Sequence, residues 1–248
     1  LFQGFDETRD RPRYDEAVFL RLGADGSELT TGYPDQPEDL YPFHLVIWGD
    51  IEHNFFSSSQ LELTRSFVLK RGGTLLLLGG PRSFAEGGFG NTIIDGMLPV
   101  VLRAVRPDSG DPASMQPFAV SPTADGIYNG AWALDPSPEQ NRKLWEDLSI
   151  LFGLNTFSLT RAGASVMATV TAPHTDYDGQ PFFAIQRYGE GRCAVLATGQ
   201  TWPWHLRAPE NDTRFDRFWR QLTRTLVDGV PEPVTLRAKA EEYPAGEP

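Results

Sequence analysis

The clearest pattern in the chain is a short apolar run, "HLVIWGD" at 44–50, then an amphipathic stretch at 57–73, then a second apolar run, "TLLLL", at 74–78. Runs of this length that end in Gly or an acid predict buried strands of a parallel sheet. The stretch between them predicts a helix. Leu61, Thr64 and Val68 fall on one face, with Leu63 and Phe67 beside them. Ser59 and Glu62 have capping-box spacing. Lys70 and Arg71 suit the negative end of the helix dipole, and Gly72 suits a left-handed C-cap. Strand, helix and strand in immediate succession predict a βαβ unit with a right-handed crossover.

The pattern changes further on. "NTIIDGMLPVVLRAV" contains a short amphipathic piece and a strand near 100–105, and "SMQPFAVSPTADGIYNG" reads as a strand and a loop. "PEQNRKLWEDLSILFG" predicts a second helix, with Leu144, Leu148 and Leu151 near helical spacing. "GASVMATVTA", "PFFAIQRYG" and "GRCAVLATG" predict three strands, and the turns "HTDYDGQP" and "GEG" predict that they pair as antiparallel hairpins. A closing helix at 213–229 carries Phe215, Phe218, Trp219, Leu222 and Leu226 on one side. The whole predicts one α/β domain with a parallel core and an antiparallel extension.

Composition narrows the class. With 248 residues, 40% hydrophobic and 22% charged, the chain has material for a packed core. A net charge of −11 argues against nucleic acid and anionic lipid as partners. The lone Cys193 excludes an intrachain disulfide and a cysteine-based zinc site. In its alternating context Cys193 reads as a small buried hydrophobe. No apolar run is long enough to span a bilayer. The opening "LFQG" resembles the remnant of an engineered cleavage site. Residues 1–4 are therefore set apart from a domain at 5–230, and the polar end at 231–248 reads as a linker. Residues 5–40 are rich in charge, Gly and Pro, with one apolar segment at 18–22.

Candidate chemistry gathers after the second strand, in "GGPRSFAEGGFGN". Neither a P-loop nor a dinucleotide fingerprint is present, so no cofactor is implied. A nucleophile elbow would need Ser or Cys where Gly79 and Gly80 stand, and Ser83 comes three or four residues late. Arg82 suits a carboxylate or phosphate, or else it and Ser83 serve the loop backbone. Gly87, Gly88 and Gly90 form either a backbone anion nest or a flexible loop. Asp50, Glu52 and His53 follow the first strand, where α/β sheets place ligands. They read either as a solvated acidic loop or as an acid–base or metal site. No histidine pair has metal-ligand spacing. In "TWPWHLR", Trp202 and Trp204 suit either stacking on a flat ligand or packing of the closing helix on the sheet.

Several pieces together resemble the glutamine amidotransferase-like domains of large bacterial membrane proteins, often found beside von Willebrand factor A-type domains. They are "LRLGADGSELTTGYP", the whole of 45–92, "MLPVVL", "YGEGRCAVLATGQTWPW" and "FDRFWRQL", covering 19–226 discontinuously. The resemblance implies a class I amidotransferase-like, flavodoxin-like three-layer α/β/α sandwich. It also implies an N-terminally trimmed domain, membrane attachment only through segments outside this sequence, and an extracytoplasmic location. Active members carry G-x-C-x-G at the elbow and a distant His–Glu pair. Here Gly79 or Gly80 takes the cysteine position and no H-x-E pair stands near the closing helix, so glutaminase activity is expected to be absent. The expected role is a binding or scaffolding module for an unknown protein or small ligand. The cleft would be formed by Asp50, Glu52, His53, Gly79, Gly80, Arg82, Ser83 and Phe84, rimmed by Trp202 and Trp204. The rival expectation is a hydrolase or carbohydrate-acting enzyme that uses Asp50, Glu52 or His53, with or without a metal.

Overall fold

The computed structural model describes residues 2–6, 11–18, 32–103, 116–148 and 150–231, the first two stretches as backbone only. Strands β1 (Phe2–Asp6) and β2 (Arg11–Val18) pair antiparallel as a separate hairpin. A single helical turn, α1 (Pro37–Leu40), leads into β3 (Leu45–Gly49). Helix α2 (Ser58–Ser66) widens into a π turn at Phe67–Arg71, and β4 (Thr74–Leu78) follows. Next come β5 (Val100–Leu102), β6 (Ala119–Pro122), α3 (Ala124–Tyr128), α4 (Pro138–Glu146) and β7 (Phe157–Thr160). The chain then runs through β8 (Ser165–Thr171), β9 (Pro181–Tyr188), β10 (Gly191–Leu196), α5 (Pro203–Leu206) and α6 (Arg214–Val227). Residues 19–31, 104–105 and 232–248 lie outside the described residues, and with them most of the 18–22 segment, the end of the strand expected at 100–105 and the linker.

The central sheet has six strands in the order β3-β4-β10-β9-β8-β6. Only the β3–β4 and β4–β10 pairings are parallel, and the other three are antiparallel. The fold class is therefore α/β with a mixed sheet, parallel at one edge rather than for most of its width. The β5 segment does not join this sheet and pairs with β7 instead.

Contacts place helices on both faces. Thr74 and Arg192 are register partners, and both donate hydrogen bonds to Leu226 O at the end of α6. On the opposite face Tyr188 accepts from Arg65 of α2, and Gln186 donates to Met97 O and Leu98 O. A two-faced sheet of this kind buries near-continuous apolar strands. Accordingly Leu75, Leu76, Leu77, Cys193, Ala194, Val195 and Leu196 are all buried. Trp132, Trp145, Trp204, Phe182 and Phe218 form an aromatic cluster that seats α6.

Three local expectations are displaced. The cap of α2 is Ser57, not Ser59. Ser57 Oγ accepts from Gln60 N at 3.2 Å, and the Gln60 side chain accepts from Ser57 N at 2.9 Å. The box sits two residues earlier: both Ser57–Gln60 and Ser59–Glu62 have box spacing, and Glu62 pairs with Arg65 instead. The helix expected through 153 stops at Glu146, so Leu148 and Leu151 lie beyond α4 and Leu151 pairs with Phe118. Gly72 does take the left-handed conformation, at φ 85°, and the "ADGIY" segment expected in a loop is the short α3.

Candidate functional site

The carboxyl ends of the three parallel strands converge. Gly79 follows β4, and its amide donates to Leu196 O of β10 at 2.8 Å. Asp50 follows β3 in a left-handed conformation, φ 45°, which turns its carboxylate back over Gly80. A crevice at such strand ends is where open α/β sheets hold ligands. In this chain the crevice is filled by its own side chains.

Asn155 is the central filler. Its amide donates to Ala197 O, which fixes the residue across β10. Its Oδ1 accepts from Gly80 N at 2.7 Å, and its Nδ2 donates to Gly80 O at 3.2 Å and Glu86 Oε2 at 3.1 Å. A Cβ on Gly79 would lie 2.5 Å from both Ala197 O and Asn155 Oδ1. A Cβ on Gly80 would lie 2.5 Å from Asp50 Oδ1. Neither position can hold a cysteine without displacing backbone or a hydrogen-bonded side chain.

The remaining predicted residues are engaged in the same shell. Asp50 Oδ1 accepts from Arg82 N at 2.8 Å, and Oδ2 accepts from Arg82 Nη2 at 3.2 Å. Both side chains are half-exposed, so the pair organises the loop more than it stabilises the fold. His53 starts a 3-10 turn at His53–Phe55 after Glu52, and its Nδ1 lies 3.2 Å from Gly87 O. A carbonyl only accepts, so Nδ1 is the donor in this contact. A Cβ on Gly88 would meet His53 Nδ1 at 2.5 Å, so Gly88 at φ 75° serves close approach to the ring. The anion-nest reading does not hold for this loop. The amides of Gly87, Gly88 and Phe89 donate to Ser83 O, Ala85 O and Phe84 O.

Burial divides the rest. Ser83 is buried, and Phe84 is buried edge-on against Phe157. Trp204 is 2% exposed within the aromatic cluster and is no rim; Trp202 is 51% exposed at the start of α5. The Trp-Pro-Trp segment is thus split: one ring packs the closing helix and the other faces out. Cys193 lies in the centre of the sheet, and burial pushes its thiol pKa up. Among the described residues no group of three or more His, Cys, Asp and Glu is placed to hold a metal. A separate surface depression, lined by His44, Arg224, Asp228 and their neighbours, opens at the other end of the parallel strands.

Asn155 and Glu86 were not singled out by sequence. The one available signal was a carboxamide inside the apolar stretch "ILFGLNTF". A buried amide must find partners, and such a residue marks a specific polar contact.

No protein-family model matches the chain, and no characterised protein matches it by sequence. Solved structures do resemble it. The cytoplasmic protein STM3548 of Salmonella typhimurium aligns with a TM-score of 0.58 at 19% identity, over 77% of this chain and 74% of that one. The cytoplasmic protein STM1381 of Salmonella typhimurium LT2 aligns with a TM-score of 0.56 at 20% identity, over 78% and 76%. At these identities the likeness is one of fold. Both neighbours are cytoplasmic proteins, a finding that runs against the expected extracytoplasmic placement on a membrane-anchored parent. No helix among the described residues is long and apolar enough to cross a membrane.

Proposed function

We propose that this chain is a glutamine amidotransferase-like domain of flavodoxin-like, three-layer type that has lost the nucleophile and works as a binding or scaffolding module. One observation carries the reading: the strand-to-loop turn at Gly79 and Gly80 has no volume for a side chain, because Ala197 O, Asn155 and Asp50 already occupy it. Covalent glutaminase chemistry needs a thiolate at that turn and a base beside it. The chain's only thiol is buried in β10 with its pKa raised. The three parallel strands with α2 crossing from β3 to β4 support the flavodoxin-like element of the reading. The exposed apolar side chains of Phe152, Trp202 and Leu206 support binding through a surface rather than a pocket.

The test is ammonia release from L-glutamine by purified protein, with Gly79→Cys beside it. The expected result is no release above the buffer rate from either protein, since a cysteine at 79 displaces its surroundings before it can act. Turnover by the wild-type chain at an enzyme-like rate, about 1 per second or faster, would overturn the reading.

A further inference from the structure

Strand β3 forms one edge of the central sheet, and its outer side is open. Thr74 N donates to His44 O, which fixes the phase of the β3–β4 ladder. His44, Val46 and Trp48 therefore turn their peptide groups towards β4, and Leu45, Ile47 and Gly49 turn theirs outward. Among the described residues no donor or acceptor meets these outward groups. Natural sheet edges are blunted by Lys, Pro or a bulge. The segment "LVIWG" has none of these, its register with β4 is unbroken, and Ile47 is 45% exposed.

This edge is complementary to itself. Antiparallel pairing of two copies about Ile47 sets Ile47 opposite Ile47 and Leu45 opposite Gly49. Each outward residue then exchanges both its N–H and its C=O with the other copy, about six bonds in all. Leu45 is the register partner of Thr74, which bonds to Leu226 O, so the side chains at 45, 47 and 49 share the face that α6 covers. The two isoleucines meet there, and each leucine has the space left by a glycine. The charges at the two ends agree with this arrangement. At the start of β3, His44 and Arg224 line a depression of about 770 Å³, with Asp228 close to Arg192. At its end stand Asp50, committed to Arg82, and Glu52. Among the described residues Arg224 and Glu52 have no ion pair. Antiparallel pairing brings the start of each strand to the end of the other, so an uncommitted cation approaches an uncommitted anion on both sides of the axis. We propose that the outer edge of β3 is an interface for a second copy of this chain, joining two sheets through a two-fold axis at Ile47. One strand pair makes a small interface, so the dimer is weak, with a dissociation constant of about 10–100 µM. The proposal is independent of the turn at Gly79 and Gly80, which the ammonia assay judges separately.

The test is sedimentation equilibrium of the full chain from about 2 to about 500 µM. The weight-average mass should rise with concentration from that of one chain, 27.6 kDa, towards twice that value. Ile47→Pro removes an outward amide and no β3–β4 bond, and it should raise the dissociation constant at least about tenfold. Ile47→Lys and Ile47→Glu decide the matter, also if the proline variant does not fold. Position 47 opposes itself only in this register. Each charged variant alone should therefore be monomeric through like-charge repulsion, and an equimolar mixture of the two should recover the dimer. Wild type that stays monomeric throughout the range overturns the proposal. So does a dimer that Ile47→Pro leaves unchanged, or a mixture of the two charged variants that stays monomeric.

Discussion

At the scale of single residues, the informative positions are those where an atom is missing. Gly79 has no left-handed φ to explain it. Its constraint is space, with a backbone carbonyl and Asn155 Oδ1 both 2.5 Å from where a Cβ would be. Overpacking of this kind costs about 1–3 kcal/mol. Gly79→Ala should therefore lower the melting temperature by roughly 2–12 °C, while Gly90→Ala, where nothing lies within 4 Å, should leave it near wild type. Scanning calorimetry of the two variants checks this; an equal response would mean that the turn is looser than the geometry requires. The sequence showed two glycines here and neither Ser nor Cys. It could not show that the vacancy had been filled, because Asn155 is 75 residues from Gly80 along the chain.

At the scale of elements, α2 shows how local and long-range signals combine. Its amphipathic spacing, basic last turn and C-terminal glycine are short-range features and were legible directly. Its cap was displaced to Ser57 because two serines have a box partner three residues on, and Glu62 is drawn to Arg65 while Gln60 closes on Ser57. What docks α2 is a tertiary contact. Tyr33 Oη lies 2.7 Å from Thr64 Oγ1, whose own proton goes to Gln60 O, and the ring packs edge-on against Trp48 and Phe56. Burial pushes the Tyr33 pKa up to about 12 from 10.0. The neutral phenol is thus favoured in the folded state. Its contribution is complete below pH 10 and is lost as pH rises towards 12, because the unfolded chain gives up that proton first. Urea titrations across this window should show wild-type stability falling by up to about 1.4 kcal/mol per pH unit more than that of Tyr33→Phe. Parallel curves for the two proteins would remove Tyr33 from the account.

The sheet teaches the same lesson. Hairpin partners β8, β9 and β10 are close in sequence, joined by short glycine-containing turns, and their antiparallel pairing was legible. The exclusion of β5 from the main sheet was not, since an apolar run of three residues serves either sheet equally well. Which one it joins depends on β7, more than 50 residues later.

At the scale of the whole molecule, Cys193 reports on global integrity. It is fully buried in the strand between β4 and β9, with helices packed on both faces of the sheet. A thiol reagent reaches it only when the central sheet opens. Labelling by a disulfide reagent at neutral pH should be undetectable on the timescale of free cysteine reaction, and should accelerate with urea in step with global unfolding. Prompt labelling in buffer alone would contradict the packing described.

Periodicity, capping chemistry and turn residues act over a few positions, and so the chain itself prescribed an α/β fold, the βαβ unit, the hairpins and the glycine turn after β4. Tertiary structure alone decided that β5 pairs with β7 outside the main sheet, that Trp204 is core while Trp202 faces out, and that Asn155 closes the turn at Gly79 and Gly80. Those outcomes depend on which distant segments meet and how much volume they leave, and neither quantity is carried by any local run of residues.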